Sequence, residues 1–133
     1  MKKYIGTKQV KAEPMNELAA VEKGFARKNE DNHEWRQGYH VQYTNPDGST
    51  YDSWSPKQVF EQSYKRADNF LDRLQIEFDE LVIRLETLDK LLANDFDNVA
   101  KKVGSKQAAM LITQRYMMKG YLDILASRID DLK

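Results

Sequence analysis

Residues 71–92 read LDRLQIEFDELVIRLETLDKLL, with apolar side chains at Leu71, Leu74, Phe78, Leu81, Leu85, Leu88 and Leu92. Steps of three and four alternate along this run, which places all seven on one face of an α-helix as knobs for a neighbouring helix. The neighbour is the last segment of the chain, where the matching stripe reads Leu111, Gln114, Met118, Tyr121, Leu125, Arg128 and Leu132. The two arms predict an antiparallel helical hairpin, closed over Asn94 to Lys106 with Gly104 as a helix terminator and Ser105 as the next cap. On this reading Gln114, Tyr121 and Arg128 fall on a stripe that ought to be dry. A buried amide, phenol or guanidinium is costly without a partner, so another protomer, water or a ligand is expected to meet them.

Outward from the hairpin, the front of the chain alternates. Lys3 to Lys11 reads as a strand with a solvated face, ended by Pro14. Asn16 to Phe25 carries a weak helical pattern in Leu18, Ala19, Val21 and Phe25, and Lys28 to Glu34 is a polar loop. Tyr39 to Tyr43 and Ser49 to Trp54 flank the turn signal Asn45-Pro46-Asp47-Gly48 and predict a β-hairpin. Ser55-Pro56-Lys57-Gln58 supplies a cap serine, a proline for the first helical position and a glutamine three residues after the cap. A helix carrying Val59, Phe60 and Tyr64 inward should follow. The expected fold class is α+β, with a β-rich module and capped helix over residues 1–64 and a helical hairpin over residues 65–133 in a single compact protomer.

Composition narrows the chemistry. A chain of 133 residues without cysteine excludes disulfides, zinc–thiolate sites and thiol nucleophiles. Its 21 basic and 21 acidic residues cancel, which argues against coating a long nucleic acid but leaves room for a pocket holding one small nucleotide. No apolar run reaches the length of a membrane span, and no hydrophobic region follows Met1-Lys2-Lys3-Tyr4, so a cytosolic protein is expected. His33 and His40 are the only histidines, and neither has a carboxylate spaced to build a metal face. Serine nucleophile motifs, phosphate-cradling glycine loops and dinucleotide fingerprints are missing as well, so neither catalysis nor a cofactor is expected. The acids of the first arm, Asp72, Glu77, Asp79, Glu80, Glu86 and Asp89, read as a solvated face. Most of the front aromatics, Trp35, Tyr39, Tyr43, Tyr51 and Trp54, read as core. The second arm is different. Arg115 and Lys119 lie one turn apart beside Tyr116 and Met117, with Arg128 further along, and cations next to an aromatic face suit phosphates with a stacked base. Surface cations beside a packed tyrosine would give the same spacing.

Taken in order, Lys3-Tyr4-Ile5-Gly6-Thr7-Lys8, Ala12-Glu13-Pro14-Met15, Gly38-Tyr39-His40-Val41, Asp47-Gly48, Ser53-Trp54-Ser55-Pro56-Lys57, Val59-Phe60-Glu61 and Tyr64 resemble a module that begins many small phage proteins. Joined to a hairpin ending Tyr121-Leu122-Asp123-Ile124-Leu125 and Arg128-Ile129, the set resembles the first family of phage anti-Thoeris proteins. These are sponges for the cyclic ADP-ribose isomers made by bacterial TIR-domain enzymes. The resemblance implies a small protomer that assembles through its helices into dimers and hexamers in the host bacterial cytoplasm. It also implies capture of a small cyclic nucleotide without hydrolysis, and in some members a second pocket for cyclic di- or trinucleotides. Lys65 stands where an arginine commonly follows the module's tyrosine, and Arg66 takes over that place. The ligand set expected on this basis is Arg115, Lys119 and Arg128 on phosphates, Tyr116 or Phe96 stacked on adenine, and Arg66 approaching from the front module. A phage accessory module that binds another protein, with Gln114, Tyr121 and Arg128 fixing helix register, is the alternative from a different class. A nucleotide hydrolase is a third.

Overall fold

The computed structural model describes residues 1–28 and 34–133, so most of the polar loop expected over Lys28 to Glu34, His33 included, lies outside the described residues. Two compact units make up the chain, Met1–Lys65 and Arg66–Lys133. The architecture is α+β, with an antiparallel sheet in the first unit and a helical hairpin in the second.

The first unit contains β1 (Lys11–Pro14), α1 (Glu17–Glu22), β2 (Gly38–Thr44), β3 (Thr50–Pro56) and α2 (Lys57–Ser63). The sheet order is β1-β2-β3, with both pairings antiparallel. Strand β1 begins at Lys11, where the expected strand was to end. Alternation among exposed lysines satisfies water without a ladder, whereas Lys11 to Pro14 finds partners in Gln42 to Tyr39. Pro14 is tolerated because β1 is an edge strand. The turn between β2 and β3 closes through the Asn45 N–H to Ser49 O bond (2.7 Å) and the Gly48 N–H to Asn45 O bond (2.9 Å).

Successive residues of β2 point to opposite faces, and each face receives a helix. On one, Phe60 of α2 stacks on Tyr39 (ring centroids 4.3 Å apart) and Tyr64 on Phe60 (4.9 Å). On the other, Phe25, just past α1, stacks on His40 at 4.4 Å. Trp54 lies on this second face and donates its indole N–H to Met15 O at 2.8 Å. Its ring covers Gly38, where an added Cβ would come within 2.4 Å of Trp54 Cζ2 and 2.3 Å of Ser55 O. No side chain fits there. Val41 is fully buried, and Tyr39, Tyr43 and Trp54 are half-buried as expected of core aromatics. Trp35 and Tyr51 remain exposed. Helix α2 starts one residue later than expected. Ser55 stays in β3, Pro56 is the N-cap, and no side chain caps the helix. The ladder bonding of β3 holds Ser55 extended through Pro56, opposite Tyr39 and Gly38.

The second unit contains α3 (Phe70–Leu92), α4 (Phe96–Val103) and α5 (Ser105–Leu132). Asn69 caps α3, its side chain accepting from Asp72 N–H at 2.8 Å. All seven apolar positions of the first arm are buried or half-buried. The closure expected over Asn94 to Lys106 contains a short helix: Asp95 caps α4, whose Val99 is buried. Gly104, at φ 91°, ends α4 and itself occupies the N-cap of α5, so Ser105 is the first helical residue and not the cap.

The seam of α5 differs from the expected one. Its buried and half-buried residues are Ala108, Leu111, Arg115, Met118, Leu122, Leu125, Ala126 and Ile129. Leu74 and Leu81 pack with Leu125 and Ile129, flanked by Leu71, Phe78, Met118 and Leu122. Leu111, Met118 and Leu125 belong to both readings, but at each the helix takes the other step. Leu122 and Ile129 are thereby buried, while Gln114, Tyr121 and Arg128 are exposed. Burial of an isoleucine and a leucine outweighs that of a guanidinium and a phenol, and this fixes the rotation of α5 about its axis.

Candidate functional site

All six residues expected at a ligand lie in the second unit, and the hairpin distributes them between its two ends. At the open end, where α3 begins and α5 finishes, the Arg128 guanidinium sits over the Phe70 ring, 5.8 Å from its centroid. Arg66, just before α3, bonds through Nε to Asp72 Oδ2 at 3.1 Å and is itself largely exposed. Asp72 is held from two further sides, by the Asn69 cap at its N–H and by the Asp68 N–H at Oδ2 (3.2 Å). The Asp72 carboxylate thus ties Arg66 to the first turn of α3, the turn that begins with Phe70. Sequence reasoning passed over Phe70, which is 52% exposed. Its signal is an aromatic one place off the apolar seam in the first turn of α3, where an antiparallel partner must bring residues near the end of α5.

Toward the closed end, Arg115 is half-buried and pairs through Nε with the Asp89 carboxylate across the hairpin. Asp89, read as a member of a solvated face, is therefore a cross-helix partner. Tyr116 is 81% exposed, Lys119 is exposed, and Phe96 opens α4 half out in solvent. Lys119 has no side-chain partner among the described residues. Helix geometry puts Lys119 and Arg128 about 180° apart around α5 and about 13 Å apart along it. One protomer therefore does not converge these two cations on a single phosphate. It presents two cation–aromatic groups, Arg66, Phe70 and Arg128 at one end and Arg115, Tyr116 and Lys119 toward the other.

A concavity of about 640 Å³ lies elsewhere on α5, over Ala109, Met110, Thr113, Gln114, Met117, Met118 and Tyr121. It is largely apolar and holds no cation. Among the described residues no group of three or more histidines, aspartates and glutamates could hold a metal ion, and no helix is long and apolar enough to cross a membrane.

The first unit pairs its polar side chains with one another. The Glu17 carboxylate, 2% exposed at the residue, receives Arg36 Nη2–H at 2.8 Å, Nε–H at 3.2 Å and the Arg36 backbone N–H at 3.2 Å. These bonds hold its pKa below the ordinary carboxylate value against the opposing effect of burial, and they raise that of Arg36. His40 sits between two carboxylates, with Nδ1 3.0 Å from Glu13 Oε1 and Nε2 2.7 Å from Asp52 Oδ1. Hydrogen bonding to Glu13 first and Asp52 second raises its pKa, because both ring nitrogens can donate only in the imidazolium.

Comparison with known proteins agrees with the division of the chain. No curated protein and no solved structure matches it. Residues 68–131, just under half of the sequence and nearly all of the helical unit, match the model of the Sequestin family. The matched segment contains Phe70 and every expected ligand residue except Arg66. Over residues 68–131, the chain is similar to the Sequestin family.

Proposed function

We propose that this protein is a phage anti-defence sponge that sequesters a small anionic nucleotide signal in the host bacterial cytoplasm without hydrolysing it. The ligand class is the cyclic ADP-ribose isomers of TIR-domain enzymes, extending to cyclic di- or trinucleotides, and the protein works as a homo-oligomer. The observation that carries this reading is the open end of the hairpin, where Arg128 lies over exposed Phe70 and Arg66 is anchored to Asp72 of the same helix turn. An adenine can exchange with the guanidinium on the Phe70 face while Arg66 and Arg128 take phosphate oxygens. Arg115 and Lys119 serve phosphates toward the other end, with Tyr116 or Phe96 as the stacking partner. The family's name denotes sequestration, which supports capture over turnover.

Titration calorimetry with a cyclic ADP-ribose isomer tests the reading. Saturable binding is expected, with the ligand recovered intact by mass spectrometry after denaturation. Arg115→Ala and Lys119→Ala should each weaken binding by about 1.5–3 kcal/mol, the range of a charge-assisted hydrogen bond. Phe70→Ala should weaken it while leaving the helix content unchanged. Absence of heat with every isomer, or recovery of a cleaved product, refutes the proposal.

A further inference from the structure

Arginine–carboxylate pairs in this chain take two forms. In the sheet unit Arg36 is gripped from the side: Nε and Nη2 bond the two Glu17 oxygens at 3.2 and 2.8 Å, and the Arg36 backbone N–H adds a third bond to the same carboxylate. In the hairpin Arg66 meets Asp72 at one point, Nε to Oδ2 at 3.1 Å, and its terminal nitrogens have no partner among the described residues. The Arg66 side chain is 76% exposed and that of Asp72 only 22%. The carboxylate lies on the inner side of the contact and the guanidinium on the outer side.

Asp72 is also the fixed member of the pair. Its Oδ2 accepts the Asp68 N–H at 3.2 Å and its backbone N–H is bonded by the Asn69 side chain at 2.8 Å, so the start of α3 sets its position. Asp89 lacks this support, with Arg115 as its one side-chain partner among the described residues. A carboxylate held by its surroundings can direct a guanidinium, whereas one free to turn can only compete for it.

Arg66 itself precedes α3 on irregular backbone. A long exposed side chain there loses rotamer freedom when a ligand fixes it, and a tether that removes the freedom beforehand reduces that loss. Contact at Nε leaves the edge of the guanidinium spanned by Nη1 and Nη2, whose parallel N–H groups match two oxygens of one phosphate. Each phosphorus of a phosphodiester or a pyrophosphate bridge carries two such oxygens.

We propose that Asp72 is a positioning residue for nucleotide capture: it holds Arg66 at Nε, presents the Nη1–Nη2 edge to two non-bridging oxygens of one phosphate, and keeps its hold when the ligand is bound. The proposal rests on the capture reading above. It adds a carboxylate that strengthens the binding of an anion, against the sign of its own charge.

Titration calorimetry of the full chain with a cyclic ADP-ribose isomer is the test. Asp72→Asn keeps an acceptor for the Asp68 N–H and the backbone bond to Asn69, and removes the charge that holds Arg66. It should weaken binding by about three- to fivefold, the scale of an exposed ion pair, whereas loss of a repelling charge alone would tighten it. In an Arg66→Ala background the same substitution should not weaken binding, because Asp72 acts through Arg66. Arg66→Lys should bind nearly as weakly as Arg66→Ala, since an ammonium carries the charge without the edge. Asp72→Asn binding as tightly as the parent or more tightly overturns the proposal. So does an equal loss in both backgrounds, or an Arg66→Lys chain that binds like the parent. A parent that binds no isomer removes the capture reading, and this inference with it.

Discussion

The two units treat polar side chains in opposite ways. In the sheet unit the charged and aromatic polar groups answer one another: Glu17 holds Arg36, His40 bridges Glu13 and Asp52 across three strands, and Trp54 donates to Met15. In the helical unit the interior is aliphatic and the cations stand at its margins, where Arg66, Lys119 and Arg128 are exposed. A polar group satisfied inside a protomer fixes the fold, and one left at the margin is free to meet something else. The sheet unit is thus built as a scaffold and the helical unit as a surface.

The comparison is broken most directly at the aliphatic seam. Leu125, fully buried, should cost about 3 kcal/mol when replaced by alanine, because the facing leucines of α3 cannot close the space. Ile124→Ala, its exposed neighbour, should leave the unfolding of an isolated protomer within about 0.5 kcal/mol. Denaturant unfolding followed by helical circular dichroism separates the two, and similar losses would mean that the seam has been misplaced.

Glu17→Ala comes next, at about 2 kcal/mol. It removes three bonds to a charged group, and the half-exposed Arg36 recovers some of the loss by resolvation. Both tryptophans, Trp35 and Trp54, lie in the sheet unit, so indole fluorescence reports this loss. The carboxyl pKa is depressed by Arg36, so the Glu17 contribution is complete above the ordinary carboxylate value and disappears as pH falls through the folded one. A Glu17→Ala deficit that persisted undiminished in strong acid would contradict the pairing.

Helix caps give a smaller contrast. Asn69→Ala should cost about 1 kcal/mol, since its side chain accepts from the first turn of α3. Ser55→Ala should cost less than about 0.5 kcal/mol, since Ser55 caps nothing. The smallest effect belongs to His40, whose pKa is raised chiefly by Glu13 and then by Asp52. Its contribution is complete below the ordinary imidazole pKa and is lost as pH rises through the raised folded value. The melting-temperature gap between the parent and His40→Gln should therefore narrow from about pH 5.5 to about pH 8.5. A gap that widens with pH would assign the bonds to a neutral imidazole.

How much of this was legible in the sequence differs between the same two units. The α3 seam could be read residue by residue, because seven apolar positions at heptad spacing admit one helix face. The rotation of α5 could not be read from one stripe, because that helix carries two apolar stripes that share no seam residue, and a path through Leu111, Met118 and Leu125 can step to either side. Comparing Leu122 and Ile129 with Tyr121 and Arg128 at each step would have resolved it. In the sheet unit the β-hairpin was marked by its turn, whereas the buried pair of Glu17 and Arg36 spans 19 positions and leaves no local signal. The ligand candidates were chosen by residue type. Their division between the ends of the hairpin follows from their positions along α5, whereas which of them turn to solvent depends on its rotation and was lost with it.

The pairing of Arg115 with Asp89 makes the protein its own first ligand. Any anion that takes hold of this guanidinium through the same nitrogen must first evict a carboxylate tethered across the hairpin, always present and undiluted. A singly charged competitor gains little by the exchange, whereas a diphosphate brings more charge to the same guanidinium. If Arg115 takes a phosphate as proposed, Asp89 sets a threshold of charge for that capture, and Asp89→Asn would lower the threshold at the expense of discrimination.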